Sequence, residues 1–314
     1  MTTTFVTGTD DLDPHYKAEV LADSVSPDGV RLTTFRLTYP RFIHSEMMTH
    51  RVFSRNAASS RAIPTERLID QVRKDPFVPA TFNARVAGMG VGEELDEGEQ
   101  AQARNTWRIA ARNASNSAEE LLHTDKSRAN RLLEPFLWYT AIFTGTEWDN
   151  FLALRDHEGA QPEIQAVARS IKRAFEASTP AELEHGQWHL PLVTREELAV
   201  SLPFGDHALE TAKKVSASRC ARISYDRFDE EPLEKTIERA EVLMGNGHFS
   251  PFEHVARPMV DDDVAEGSWA MGVEPAHSSP MPGTYFCGNF RGWVQFRKEI
   301  ANESRFDLAQ ATTS

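Results

Sequence analysis

Residues 49–61, THRVFSRNAASSR, hold three arginines, a histidine, three serines and an asparagine without a single acid. The surrounding chain is acidic, with 47 Asp and Glu against 34 Lys and Arg. A guanidinium group presents a planar fork of donors that matches phosphate oxygens, and serine hydroxyls can complete the shell. The cluster therefore predicts a pocket for an anionic ligand. A solvated basic helix face is the plainer reading of a charge run. The interleaved small residues and the absence of lysine count against it.

A second group, GHFSPFEH at 247–254, places two histidines, a serine and a glutamate at a predicted junction of helix and loop. Taken alone, His248 and His254 suggest a metal pair, but a capped turn around a buried Phe is the better reading of each residue. Ser250 followed by Pro251 predicts an N-cap and a first helical residue, which would leave backbone N–H groups for phosphate or pyrophosphate. Cys220 and Cys287 are too few for a disulfide framework and lack zinc spacing, so both read as buried and inert, and no metal site is predicted.

The elements that must position these groups follow from pattern and punctuation. Residues 16–38 alternate about a Pro27-Asp28-Gly29 turn, predicting a hairpin that ends at Pro40. The period then lengthens, and a helix over 41–62 is expected to carry the basic cluster, stopped near Pro64. An acidic loop at 88–98 precedes helices over 99–124, 126–138, 148–155 and 163–177. A proline-interrupted connector leads to helices at 212–225 and 233–244, the second ended by Gly245-Asn246-Gly247. A loop over 258–284 and a helix over 286–302 complete the reading.

Hydrophobic content of 40%, with 18 Phe and 6 Trp, is ample for a core. No apolar run approaches the roughly 20 residues that span a bilayer, and the N-terminal residues lack a secretory pattern, so a cytoplasmic location without membrane contact is expected. A net charge of −13 argues against general nucleic-acid binding but is compatible with a small phosphorylated ligand in a local basic pocket.

The basic segment resembles the flavin-dependent thymidylate synthases, which carry Arg-His-Arg, seven further residues, then Ser and, two places on, Arg. His50, Arg51, Ser59 and Arg61 fall at those spacings, with Thr49 at the first arginine. The run VRLTTFRLTYPRFIHSEMMTHR is similar to the family's approach to that motif. GHFSPFEHV is similar to its Gly-His-x-Ser/Thr-Pro-Phe-Glu-His element, and SASRCARISYD to the stretch before it. TGTEWDNFLALRDHEGAQPEIQAVARSIKRAF and CGNFRGWVQFRKEI resemble its later helices, and RLLEPFLWYTAIF the Arg-x-x-Leu-Pro segment just before them. In most family members the histidine element precedes the arginine motif. Here it follows, so a circular permutation or rearranged duplication is expected.

The resemblance implies an α+β fold, an antiparallel sheet with long helices, as one catalytic domain over 1–314. Within it, 1–180 would carry the nucleotide motif and 205–314 the flavin motif. It implies FAD contacts for His50, Arg51, Asn56, Arg155, His248, Ser250 and His254. Substrate contacts would come from Glu46, Ala57, Ser59, Arg61 and Gln165, and catalytic roles from Arg51 and Gln165. The implied reaction carries one carbon from methylenetetrahydrofolate to C5 of a deoxypyrimidine monophosphate, dUMP to dTMP, with NADPH as reductant and a homotetramer as the assembly. Four positions depart from the family pattern: Thr49 and Gln165 stand for arginines, Glu46 for a glutamine and Ala57 for a glutamate. Glutamine both donates and accepts, so Gln165 could pair with cytosine. Methylation or hydroxymethylation of dCMP or dUMP is therefore an alternative, and a non-catalytic nucleotide-binding protein is another.

Overall fold

The computed structural model describes residues 14–88, 90–200, 206–222, 231–265, 270–272, 282–301 and 303. A hairpin opens it, β1 (Lys17–Val25) against β2 (Arg31–Pro40). Its turn needs Gly29, whose φ of +76° is left-handed and disfavours a side chain. A short helix α1 (His44–Met48) and strand β3 (Ser54–Ala57) follow, then α2 (Thr65–Lys74), α3 (Glu97–Glu120) and α4 (Lys126–Arg131). Asp96 and Glu99 close a capping box on α3. Strand β4 (Trp138–Gly145), helices α5 (Trp148–Arg155) and α6 (Pro162–Ala177), and the two-residue β5 (Ala181–Glu182) complete a sheet of order β3-β4-β2-β1-β5. All its neighbours are antiparallel except β1 and β5.

The sheet has two differently used faces, because successive side chains of a strand point opposite ways. Phe35, Leu37 and Tyr39 of β2 and Phe143 of β4 pack with Trp148 and Phe151 of α5 and with Ile164, Val167 and Ile171 of α6. The other face carries Leu32, Thr34, Ile142 and Thr144 and is covered by the second half of the chain, through Cys220, Ala256, Phe290 and Trp293. A bulge between Val20 and Ala22 shifts the β1 register by one residue. Val20 pairs with Phe35, but Ala22 pairs with Thr34 and Ser24 with Leu32. The extra residue thus puts Ser24 on the Thr34 face, where an unbroken register would have turned it away.

In the second half lie α7 (Arg195–Val200), α8 (Asp206–Ala221), α9 (Leu233–Gly245), β6 (Ala256–Pro258) and α10 (Asp261–Ala265). Short strands β7 (Ala270–Gly272), β8 (Tyr285–Cys287), β9 (Phe290–Arg291) and β10 (Trp293–Gln295) lead into α11 (Phe296–Glu299). Among the described residues no helix is long and apolar enough to cross a membrane.

Five local expectations are corrected. The helix over 41–62 is a 3-10 turn, α1, strand β3 and a second 3-10 turn. β4 offers an open edge, and Ser54–Ala57 pairs with it from Ser54↔Thr144 to Ala57↔Ala141, a tertiary pairing that overrides local helical periodicity. The helix over 126–138 ends at Arg131, and the β-prone WYTAIFTG run begins a strand. The helix over 286–302 is replaced up to Gln295 by three short strands, turned by Gly288 and Gly292 at φ +64° and +68°, and only Phe296–Glu299 is helical among its described residues. Ser250 caps nothing: Phe249 is the N-cap of the 3-10 turn Ser250–Glu253, without a side-chain cap bond. The loop expected over 258–284 contains α10 and β7, with 266–269 and 273–281 outside the described residues, as are 223–225 of the helix expected over 212–225.

Candidate functional site

The basic segment is built around two interactions with α5. Arg155, at the last residue of that helix, donates from Nε to His50 Nε2 at 2.8 Å and from Nη2 to the Thr49 hydroxyl at 3.0 Å. Arginine has no acceptor, so His50 Nε2 carries a lone pair and the ring proton sits on Nδ1. Burial, with the Arg155 and Arg55 charges, pushes the His50 pKa down to about 4, so the ring is neutral at physiological pH. It packs edge-to-face on Phe151 with centroids 4.8 Å apart, which ties it to the apolar core. Arg51 is exposed and, among the described residues, its guanidinium group has no ion-pair or hydrogen-bond partner.

Farther along, Ser59 Oγ accepts from the Arg61 backbone N–H at 3.3 Å and caps the 3-10 turn Ser60–Ala62. Asn130 of α4 holds that turn by donating to the carbonyls of Ser60 at 2.6 Å and Ile63 at 3.0 Å. Ser59 and Arg61 face an open cleft of about 490 Å³ shared with Asp125, Lys126 and Ser127. Lys126 is a cation that the sequence reading overlooked. Ala58 and Ser60 line instead a separate cavity of about 280 Å³ with Arg41, Arg67 and Tyr139, and Ala62 borders both.

The GHFSPFEH segment reaches the basic segment at Asn56. Its carboxamide nitrogen lies 3.1 Å from His254 Nε2, 3.1 Å from the Ser250 carbonyl and 3.0 Å from the Arg55 carbonyl, while its oxygen accepts from Ser250 Oγ at 3.2 Å. The reverse orientation, with Nδ2 on Ser250 Oγ and Oδ1 on His254 Nε2, would set the amide oxygen against two backbone carbonyls, acceptor facing acceptor. The meeting is therefore with Asn56 itself, about two hundred residues away in sequence. No bond joins Ser250 or His254 directly to His50 or Arg51.

His254 is fully buried and its pKa is pushed down to about 3, first by desolvation and then by the neighbouring His189. Its Nδ1 lies 2.7 Å from Thr144 Oγ1. Thr144 meets Thr34 at 2.7 Å, Thr34 meets His189 Nε2 at 2.8 Å, and His189 Nδ1 meets Ser24 Oγ at 2.9 Å. His189, likewise buried and pushed down to about 4, is held beside this segment by a two-residue bridge with Ala256. None of Ser24, Thr34, Thr144 and His189 was singled out from sequence. For the three strand residues the sequence signal is a hydroxyl in strands that otherwise read as hydrophobic, and His189 lies in the proline-interrupted connector.

The remaining expected residues are scattered. Glu46 accepts from the Ser45 hydroxyl at 2.9 Å at the surface, and Ala57 ends β3 packed against the apolar core. Gln165 sits on α6 and donates to the His157 carbonyl at 2.8 Å, which holds the α5–α6 loop. His248 is exposed beside the buried Phe249. Cys220 and Cys287 are both buried. Burial raises the first thiol far above its ordinary range and the second to about 11, so neither is a thiolate at neutral pH. Among the described residues no group of His, Cys, Asp and Glu is disposed to hold a metal ion.

Residues 30–181 match the sequence family described as thymidylate synthase complementing protein. That range contains the basic segment, Arg155 and Gln165 but not residues 247–254. Among solved structures, the chain is similar to the UMP/dUMP methylase PolB from Streptomyces cacaoi bound with 5-Br UMP, at 18% identity over 51% of this chain and 88% of that one, with a TM-score of 0.43. The same methylase bound with 5-Br dUMP matches at 21% identity over 46% and 66% of the two chains, with a TM-score of 0.38. No curated protein matches the chain.

Proposed function

Because residues 30–181 belong to the thymidylate synthase complementing protein family, we propose that this chain is an FAD-dependent enzyme that transfers one carbon from methylenetetrahydrofolate to C5 of a deoxypyrimidine monophosphate. The observation that carries the reading is the convergence at Asn56, where the Ser250–His254 turn and the basic segment form one hydrogen-bonded group. The donor set fits an anionic dinucleotide. Arg51 offers a guanidinium group uncommitted among the described residues, and Arg155 is fixed at the helix end.

FAD, when bound, supplies the electrons that reduce the transferred carbon, with NADPH as their source. The chain's own part is to bind and orient. His50, Arg51, Asn56, Arg155, His248, Ser250 and His254 form the flavin side, and Ser59 and Arg61, joined by Lys126, hold the substrate phosphate in the open cleft. A neutral His50 can stand beside a flavin without adding charge. Both cysteines are buried and protonated, which favours a route without a cysteine nucleophile at C6. Gln165, with one amide hydrogen and its oxygen uncommitted among the described residues, would read the base, and Glu46 and Ala57 would border the nucleotide.

The test is release of the C5 hydrogen from tritiated dUMP by FAD-reconstituted protein with methylenetetrahydrofolate and NADPH, followed by the mass of the product. Release that needs all three supports the reading. No release from dUMP or dCMP, with nucleotide still bound, would establish a non-catalytic nucleotide-binding protein. Faster release from dCMP would move the substrate to cytosine. Arg61→Ala should weaken nucleotide binding by roughly 1.5–3 kcal/mol, and an unchanged affinity would reduce Arg61 to a surface residue. The homotetramer and the permuted motif order belong to the same proposal.

A further inference from the structure

Six side chains from residues distant in sequence form one continuous hydrogen-bonded line through the sheet: Asn56, His254, Thr144, Thr34, His189 and Ser24. Thr34, Thr144, His189 and His254 are 0–1% exposed, so water does not break the line. A line of this kind has two possible senses, since each hydroxyl can turn and each imidazole can hold its proton on either nitrogen. Asn56 decides between them. Its amino group is fixed by the Arg55 and Ser250 carbonyls, and an amide nitrogen has no lone pair to accept with, so His254 Nε2 faces it as an acceptor and shares the amide's two hydrogens with those carbonyls.

Every later step follows. The His254 proton sits on Nδ1 and is donated to Thr144, Thr144 donates to Thr34, Thr34 to His189 Nε2, and His189 Nδ1–H to Ser24. The β1 bulge completes the line, because it alone puts Ser24 on this face. At the other end the Asn56 oxygen takes the Ser250 hydroxyl hydrogen. Ser250 Oγ is then left with lone pairs only.

We propose that this one-directional line makes Asn56 and His254 positioning residues that present Ser250 Oγ as an acceptor. The ligand group seated at Ser250 is accordingly a hydrogen-bond donor, such as a polyol or sugar hydroxyl or a ring N–H, and not a phosphate oxygen. The line itself stands without any ligand, whereas the chemistry at Ser250 rests on the proposed flavin site. It also reverses the expectation, drawn from Ser250-Pro251, that this turn receives phosphate.

Two measurements decide it. Nitrogen-15 NMR of histidine-labelled protein without ligand should show both His189 and His254 protonated on Nδ1. In Asn56→Ala, a change at a half-buried position, His254 should become a mixture of tautomers, and the His189 signals should shift with it. In a Thr34→Val background, where the line is cut, the same replacement should leave His189 unmoved. Nε2-protonated rings in the parent protein would overturn the proposal, as would a His189 spectrum indifferent to Asn56 when Thr34 is intact. A merely structural role for Asn56 would not transmit a tautomer change through four bonds. The second measurement is a crystal structure with FAD. A hydroxyl or N–H within about 3.2 Å of Ser250 Oγ supports the proposal, and a phosphate oxygen there overturns its ligand half. Failure of FAD to bind would sink the flavin reading and that half together, while the tautomer result would still judge the line.

Discussion

Two adjacent residue pairs on the same two strands meet different worlds. Phe35 and Phe143 pair across β2 and β4 and lie among Trp148, Phe151 and the apolar side of α6. One residue away, Thr34 and Thr144 pair on the opposite face and hold hydroxyls between two buried histidines. The first face needs only volume and shape, and its stabilisation is hydrophobic and nondirectional. The second face needs each donor matched to an acceptor, because a buried polar group without a partner loses its hydration and gets nothing back. The lesson is that one sheet can anchor a fold on one side and fix the chemistry of a site on the other.

The largest effect should come from the apolar face. Phe143→Ala removes a fully buried ring and should cost about 3–5 kcal/mol of unfolding free energy, measured by urea titration. A cost near 1 kcal/mol would mean that this face is loosely packed. On the polar face Thr144→Val keeps the shape but strands the His254 Nδ1–H, at about 1–3 kcal/mol. No loss would show that the polar face behaves like the apolar one.

A pH titration sharpens the same contrast. Burial holds the pKa of His189 at about 4 and that of His254 at about 3 in the folded protein, against about 6.5 in an unfolded chain. Below pH 6.5 the unfolded chain takes up protons that the folded one refuses. Stability is thus full above that pH and falls as the pH drops towards 4. Each histidine should account for about 1 kcal/mol of loss between pH 6.5 and 5.5. His189→Asn should make the profile shallower, and an unchanged slope would place the acid sensitivity elsewhere. The smallest effect belongs to the rim: Arg155→Lys breaks the fork to His50 and Thr49 at a part-exposed site and should change stability by under about 0.5 kcal/mol. A larger loss would make that fork part of the core.

Much of the apolar face was legible in the sequence. Alternation about Gly29 gave the hairpin, the α5 boundaries were read without error, and α6 begins one residue early. The basic segment was legible as composition but not as geometry. Its strand forms because β4 leaves an edge open, which no local period encodes. The polar line was not legible, since its members lie between residues 24 and 254 at no regular spacing. A threonine in a strand reads as a β-branched residue before it reads as a hydroxyl. Ser250 was read as a cap because of the Ser-Pro pair, whereas its hydroxyl bonds Asn56.

The bridge between His189 and Ala256 ties together the two segments whose histidines bond the sheet threonines. His189 N–H donates to the Ala256 carbonyl at 2.7 Å, and Ala256 N–H returns a bond at 3.3 Å, just beyond His254. Opening that pair would pull both imidazoles off the sheet and leave Thr34 and Thr144 without their outer partners. The amides of residues 189 and 256 should therefore exchange with deuterium together with those of central β2 and β4, as one cooperative unit that opens only when the whole sheet does. Such a unit assembles late, since it waits for contacts between residues more than a hundred positions apart.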